Sequence, residues 1–153
     1  MAMIPDHDEH GLLPPGIHDA TTAEIEQRFC WTPRRVMLLS GLQRLLAEWW
    51  APQGLPAAVL VDGSFVRRKP DPDDIDAVFD LHPQAPLEQA VVFMLRCQCE
   101  RADLKTKYHV DVWPRHPALP NDLAKFFQYL GDKAAAELQL DRTHPKGILR
   151  IVP

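Results

Sequence analysis

The sequence predicts an α+β (α/β) domain in which helices pack on a small mixed β-sheet. Residues 57–61, Ile75–Leu81 and 108–113 have the pattern of strands; a stretch with helical periodicity precedes the first of them, and another separates the second from the third. The first strand is a continuous apolar run and the other two alternate, which indicates strands with one or both faces buried. With 153 residues, the chain is long enough for one such domain with its own core.

Capping motifs set the beginnings of the first two helices. Thr21, with Glu24 three residues later, forms a capping box and predicts a short helix that ends near Phe29. Thr32 before Pro33 places a capping hydroxyl ahead of a proline at the first helical position, which predicts a helix to about residue 50. The apolar residues of its predicted buried face are Val36, Leu39, Leu42, Leu46 and Trp49.

Two more helices and a last strand are expected further along the chain. Residues 87 to about 102 are helical in pattern, and Asn121 or Asp122 is in place to cap a helix that runs to Leu130 and is closed by Gly131. Residues 146–152 predict a strand or an extended tail. Residues 1–20, rich in proline, glycine, aspartate and histidine, predict an extended N-terminal arm before a single domain of residues 21–153. The face of the helix from residue 87 is formed by Leu87, Ala90, Val91, Met94, Leu95 and Cys97 or Cys99.

Composition excludes several classes of protein. The net charge of −4 gives no overall basic field for nucleic acid, and no apolar run is long enough to span a membrane. The first ten residues lack the order of a secretory signal, and their acidic and histidine side chains favour a solvated terminus over a metal site. Cys30, Cys97 and Cys99 lack the spacing of a zinc site and are expected to be reduced thiols, which indicates a cytoplasmic location.

Three aspartates carry the chemistry that the sequence predicts. Asp74 and Asp76 are two residues apart, so in a strand they point to the same face, where a cation is needed to offset their repulsion. Asp111 stands between two valines in a later strand, a poor position for packing and therefore a functional one. If the two strands are neighbours, the three carboxylates converge on Mg²⁺ or Mn²⁺, whose preferred ligands are hard oxygens.

A glycine-serine turn supplies the phosphate half of the predicted site. Gly63 permits close backbone approach, and the hydroxyl of Ser64 with nearby N–H groups can hold phosphate oxygens. Arg67, Arg68 and Lys69 follow and can take up triphosphate charge, although a solvated basic face explains them equally well.

The segment from Gly63 to Asp76 resembles the signature of the DNA polymerase β-like nucleotidyltransferase superfamily: a Gly-Ser pair after a strand, an Asp-x-Asp strand, and a third acid on a later strand. The resemblance covers roughly residues 57–113. The whole chain also resembles small stand-alone bacterial members of that superfamily. It implies the nucleotidyltransferase fold, with Asp74 and Asp76 holding both metal ions, Asp111 holding the catalytic one, and Gly63 and Ser64 contacting the phosphates.

The resemblance also implies a function. The expected reaction is metal-dependent transfer of a nucleoside monophosphate from a nucleoside triphosphate, such as ATP, to a hydroxyl of a protein or of RNA, including a tRNA end. Small members often act in toxin–antitoxin or defence systems, where a cognate toxin or antitoxin would be the partner. In this chain the segment between Ser64 and Asp74 is short and contains two prolines, which leaves the phosphate-binding turn abbreviated.

Other interpretations remain open. A catalytically degenerate nucleotidyltransferase fold that binds a partner is the main alternative, and metal-dependent hydrolysis of a phosphoester is a weaker one. Asp71 and Asp73 favour a turn, Lys105 and Lys107 favour solvent over substrate contact, and His109 favours a structural role. The aromatic side chains expected in the core rather than as base-stacking platforms are Trp49, Trp50, Phe126 and Phe127.

Overall fold

Five strands form one mixed sheet in the computed structural model, which describes residues 4–55, 57–118 and 127–152. The strands lie in the order β1-β5-β2-β3-β4. β1 is parallel to β5 and β3 is parallel to β4, whereas β2 is antiparallel to both of its neighbours. The predicted α+β class with a small mixed sheet is confirmed. The strands are β1 (Gly16–Ala20), β2 (Ala57–Asp62), β3 (Ile75–Leu81), β4 (Val110–Arg115) and β5 (Gly147–Ile151).

Both predicted capping motifs form. The Thr21 hydroxyl accepts a hydrogen bond from the Glu24 N–H at 3.2 Å, and the Glu24 carboxylate accepts one from the Thr21 N–H at 2.9 Å. The Thr32 hydroxyl accepts one from the Arg35 N–H at 3.2 Å. The second helix continues through a π-helical turn, Leu46–Trp50, and a 3-10 turn, Ala51–Gln53. The helices are α1 (Thr22–Phe29), α2 (Pro33–Leu45), α3 (Leu87–Tyr108) and α4 (Gly131–Leu138).

The main core lies between one face of the sheet and helices α1, α2 and α3. The alternation predicted for β3 is confirmed, because Ile75, Ala77, Phe79 and Leu81 all belong to this core. The other face of the sheet carries a smaller apolar cluster of Leu60, Val78 and Ile148. The acidic residues of β3 therefore lie on the face away from the main core.

The predicted apolar faces of two helices are partly wrong. Val36 on α2 is 52% exposed, because the helix is turned so that Leu38, Leu39, Leu42 and Leu45 face the core. On α3, the apolar residues Leu87, Val91, Val92 and Leu95 are exposed. Apolar residues at this spacing were compatible with more than one rotation of the helix. The side chains that α3 buries are Ala90, Phe93, Cys97, Leu104 and Tyr108.

Two helix ends differ from the prediction. α3 runs six residues past Ala102 and ends at Tyr108, and His109 caps it with a left-handed backbone (φ 58°), so these two residues are not part of the strand predicted from residue 108. The predicted helix ending at Leu130 falls mostly on residues 119–126, outside the described residues. Gly131 begins α4 rather than closing a helix, and the residues just before it, at 127–129, are in a turn and an isolated bridge.

The N-terminal segment is part of the sheet rather than a separate arm. Residues 4–20 contain no helix, as expected, but residues 16–20 are strand β1 and pair with β5. Leu12 and Leu13 are fully buried. His7 is half-buried and its Nε2 lies 2.9 Å from the carbonyl oxygen of Val66, so the solvated terminus predicted for residues 6–10 is wrong at this position.

The three cysteines are free thiols, as predicted. Cys97 is buried, and burial raises the pKa of its thiol to about 12, so it packs as a small apolar side chain. In the described part of the chain, no helix has both the length and the apolar character needed to cross a membrane.

Stability should depend on pH through His7. Burial lowers the pKa of this imidazole below its usual value of 6.5. The neutral ring therefore contributes stability above pH 6.5, and that contribution is lost as the pH falls through the lower pKa of the folded state. We expect wild type to lose more stability between pH 7.5 and pH 5 than His7→Gln, measured by urea denaturation. The exposed His82→Gln is the control, and an equal pH dependence of all three proteins would contradict the prediction.

Candidate functional site

Three aspartates lie side by side at one end of strands β2, β3 and β4. Asp76 on β3 is opposite Asp62 on β2 and beside Asp111 on β4. Residues paired in this way on neighbouring strands project to the same face, so the carboxylates form a row. The expectation that the strands of Asp76 and Asp111 are neighbours is confirmed. Asp62 was not predicted as a site residue, because it follows an apolar run and directly precedes Gly63.

Three of the four carboxylates of the site form ion pairs with basic side chains. Asp111 accepts two hydrogen bonds from Arg101 on α3, from Nε at 2.5 Å and from Nη2 at 2.9 Å. The Lys146 ammonium lies 2.7 Å from Oδ1 of Asp62. The fourth carboxylate that joins this group, Asp74, precedes β3, and its Oδ2 lies 3.1 Å from Nζ of Lys105. Residue types alone did not predict these pairs. Lys105 is exposed, as expected, with 52% of its side chain accessible, and its ammonium also contacts the site.

Asp76 is the carboxylate at the centre of the row. It accepts a hydrogen bond from Nε1 of Trp113 at 3.3 Å, and no basic side chain among the described residues forms an ion pair with it. Burial, together with the charges of Asp62 and Asp74, raises its pKa to about 7. Gly63 lies directly against it, so that a Cβ on this glycine would collide with Oδ2 of Asp76. The positive φ of Gly63, 84°, also favours glycine.

The turn after β2 is short, and one buried arginine donates hydrogen bonds to its backbone. Gly63 leads into a single 3-10 turn, Ser64–Val66, rather than a helix of several turns, as the short spacing to Asp74 led us to expect. Arg35 on α2 is fully buried beneath it. The carbonyl oxygens that accept hydrogen bonds from its guanidinium are those of Phe29, Ser64, Phe65, Arg67 and Lys69.

The three basic residues of this loop have different environments. Arg67 and Lys69 line the same cavity as Gly63 and Ser64, and both form ion pairs with Glu137 on α4, at 2.9 and 3.4 Å. Arg68 is exposed and contacts the N-terminal segment, donating to the carbonyl oxygen of Asp8 at 3.4 Å. It does not belong to the cavity lining. Only two of the three predicted phosphate-binding side chains therefore lie at the site.

An open cavity of about 520 Å³ lies in front of the row. Asp62, Asp74 and Asp76 line it, together with the Gly63-Ser64 turn. The segment from Phe127 to Ala134 and the loop before β5 close it on the other side, and neither contributed a predicted site residue. The basic side chains of its lining are Arg67, Lys69, Lys133, Arg142 and Lys146.

The remaining predictions for single residues have mixed outcomes. Asp71 and Asp73 are exposed in the turn before β3, as expected. Lys107 is exposed, and its ammonium lies 5.2 Å from the ring centre of Tyr108. Trp49 and Trp50 pack in the core against Phe79 and Phe93, as predicted. Phe127 instead lines the cavity and contacts the ring of Trp113, and Phe126 lies outside the described residues.

The donor set suits a hard divalent cation. Carboxylate oxygens are the ligands that Mg²⁺ and Mn²⁺ prefer, and Oδ2 of the fully buried Asp62 accepts no hydrogen bond from the described residues. In the side-chain arrangement of residues 4–55, 57–118 and 127–152, no three acidic, histidine or cysteine side chains are close enough together to hold an ion. A metal ion at Asp111 or Asp74 would compete with the ion pairs that these carboxylates form with Arg101 and Lys105.

Fold and site together define the class of the protein: an α+β domain with one mixed sheet, a row of acidic side chains across β2, β3 and β4, and a cavity beside that row lined by acidic and basic side chains. The chain belongs to the family described as a family of unknown function, DUF6932, whose model matches residues 5–152. The match includes the site and the sheet from β1 to β5. No curated protein and no solved structure matched the chain.

Proposed function

We propose that the protein is a metal-dependent nucleotidyltransferase that moves a nucleoside monophosphate from a nucleoside triphosphate to a hydroxyl of a protein or RNA. The observation that carries the proposal is the pairing of Asp76 with Asp111 on adjacent parallel strands, with the Gly63-Ser64 turn against Asp76. This is the arrangement that the resemblance to the DNA polymerase β-like superfamily implies: a Gly-Ser turn, an Asp-x-Asp strand and a third acid on another strand. A cytoplasmic setting and a role in a toxin–antitoxin or defence system are part of the proposal.

In this proposal Asp74 and Asp76 would hold two Mg²⁺ or Mn²⁺ ions and Asp111 would share one of them. A bound divalent cation would neutralise phosphate charge and acidify the acceptor hydroxyl. Asp111 would take the proton of the acceptor hydroxyl. The oxygen of that hydroxyl would form a bond to the α-phosphate, and pyrophosphate would leave. Gly63 would let the phosphates approach the backbone, and Ser64 would donate to one of their oxygens.

The basic lining of the cavity supports binding of a triphosphate. Lys69, Lys133 and Arg142 line the cavity together with the carboxylates, and basic side chains of this kind would bind the β- and γ-phosphates. Phe127 and Tyr129 line the same space and offer apolar surface for a nucleobase.

Labelled nucleoside triphosphates test the proposal. Wild-type protein with Mg²⁺, each of four α-labelled triphosphates and candidate acceptors (itself, cell proteins, tRNA) should transfer label. Asp76→Asn and Asp111→Asn should each reduce transfer by about 10²-fold or more, because each removes negative charge that would hold the metal. The matched control is Asp103→Asn, an exposed aspartate on α3. Equal labelling by wild type and both site variants would contradict the proposal.

One observation favours a second function, a catalytically degenerate fold that binds a partner protein. Asp62, Asp74 and Asp111 each form an ion pair with a basic side chain of the chain itself. Their negative charges are therefore neutralised without a metal ion. In the same experiments, this function predicts no transfer by wild type and partner binding that survives Asp74→Asn, Asp76→Asn and Asp111→Asn together.

A further inference from the structure

Arg101 occupies the carboxylate that a catalytic metal would need. Its guanidinium makes a two-point contact with Asp111, using both oxygens of that carboxylate. Such paired, charge-assisted hydrogen bonds are the strongest that side chains commonly form. Asp111 is 8% exposed, so few other groups can reach it.

The guanidinium also has a second contact that does not depend on Asp111. It lies 3.8 Å from the ring centre of Trp113, two residues further along β4. The Arg101 side chain is 41% exposed, so it has room to move towards solvent. It can therefore leave the carboxylate of Asp111 while its guanidinium stays beside the indole of Trp113, held there by a cation–π contact.

The charges of the site are almost balanced by the chain itself. Three basic side chains, Arg101, Lys105 and Lys146, pair with three of the four carboxylates, those of Asp111, Asp74 and Asp62. Lys146 is fixed, because its side chain is 6% exposed and its partner 1%. Lys105 and Arg101 are the two partly exposed cations, and of these only Arg101 takes both oxygens of its carboxylate.

We propose that Arg101 is a displaceable internal counter-ion of Asp111, which holds the metal site closed until a divalent cation takes its place. This inference rests on the metal site of the proposed function. Each binding event then includes the loss of the Arg101–Asp111 ion pair. The affinity for metal is lower than the carboxylates alone would give, and the empty site avoids the repulsion of four neighbouring acids.

Metal binding by Arg101→Gln tests the inference without any measurement of catalysis. Titration with Mn²⁺, followed by electron paramagnetic resonance of the free ion, should show binding about tenfold tighter in Arg101→Gln than in wild type. Glutamine keeps part of the stem over Trp113 but removes the charge. The matched control, Arg96→Gln, removes an exposed arginine on the same helix that pairs with Glu100, and should bind Mn²⁺ as wild type does.

The outcomes separate the inference from the proposed function. Equal or weaker Mn²⁺ binding by Arg101→Gln, with clear binding by wild type, would overturn the inference and leave the metal site standing. If neither protein binds Mn²⁺ while circular dichroism shows both folded, the metal site itself is overturned, and the inference with it. Asp111→Asn should weaken binding in the wild-type background, which identifies the bound ion as the one at this carboxylate.

Discussion

Replacement of Arg35 by methionine should lower the free energy of unfolding by about 4 to 5 kcal/mol. This arginine is fully buried and donates to backbone carbonyls of the loop that follows Gly63, among them Phe65 and Lys69, and to that of Phe29 at the end of α1. Burial lowers its pKa to about 10, but the guanidinium stays charged at neutral pH. Methionine has a similar length and no donor, so the buried carbonyls would lose their hydrogen bonds.

Urea denaturation followed by far-UV circular dichroism measures this loss. Arg34→Met is the matched control, because its guanidinium donates to the carbonyls of Pro72 and Asp73 from a partly exposed position. That change should cost less than about 1 kcal/mol. A cost of that small size for Arg35→Met would show that the loop does not depend on the buried guanidinium. If the prediction holds, the phosphate-binding turn proposed above owes its shape to a residue that contacts no substrate.

Replacement of Lys146 by methionine should cost about 4 kcal/mol. Its ammonium is the counter-ion of Asp62, whose side chain is only 1% exposed. Burial already raises the pKa of Asp62, and the charge of Lys146 opposes that shift. Without the lysine, the chain must either bury an unpaired negative charge or protonate the carboxyl, and both states are less stable than the pair.

A double variant isolates the electrostatic part of this effect. Asp62→Asn with Lys146→Met removes both charges, and its stability should return to within about 2 kcal/mol of wild type in the same denaturation experiment. A double variant as unstable as the single one would attribute the loss to packing of the lysine stem instead. The comparison matters for the site, because Asp62 lies next to Asp76 in the sheet.

The sequence predicted those parts of the fold that depend on local chemistry. The capping hydroxyls of Thr21 and Thr32 act on residues three positions away, and the alternation of β3 repeats every two residues, so both patterns are visible in a short window. β1 was not predicted, because Gly16–Ala20 is short and half polar. It becomes a strand through pairing with β5, which lies at the far end of the chain.

The candidate site, like the fold, was predicted only where residue types and short spacing were informative. The positions of Asp74, Asp76, Asp111 and the Gly63-Ser64 turn followed from residue types and spacing. The basic partners did not, because Arg101 and Lys105 reach the site from a helix whose rotation the apolar pattern left undetermined. Lys146 reaches Asp62 across 84 residues of sequence, a contact that only the sheet topology creates.

The pairing of β1 with β5 has a consequence for how the chain folds. Asp19 and Arg150, joined by a hydrogen bond across these strands, are 131 residues apart in sequence. Contacts of such separation must close a large loop, and their entropy cost delays them relative to local hairpins and helices. We therefore expect β2, β3 and the helices to assemble first and the β1 edge to dock last. During synthesis, residues 16–20 must wait until residues 147–151 have been made before their partner strand exists.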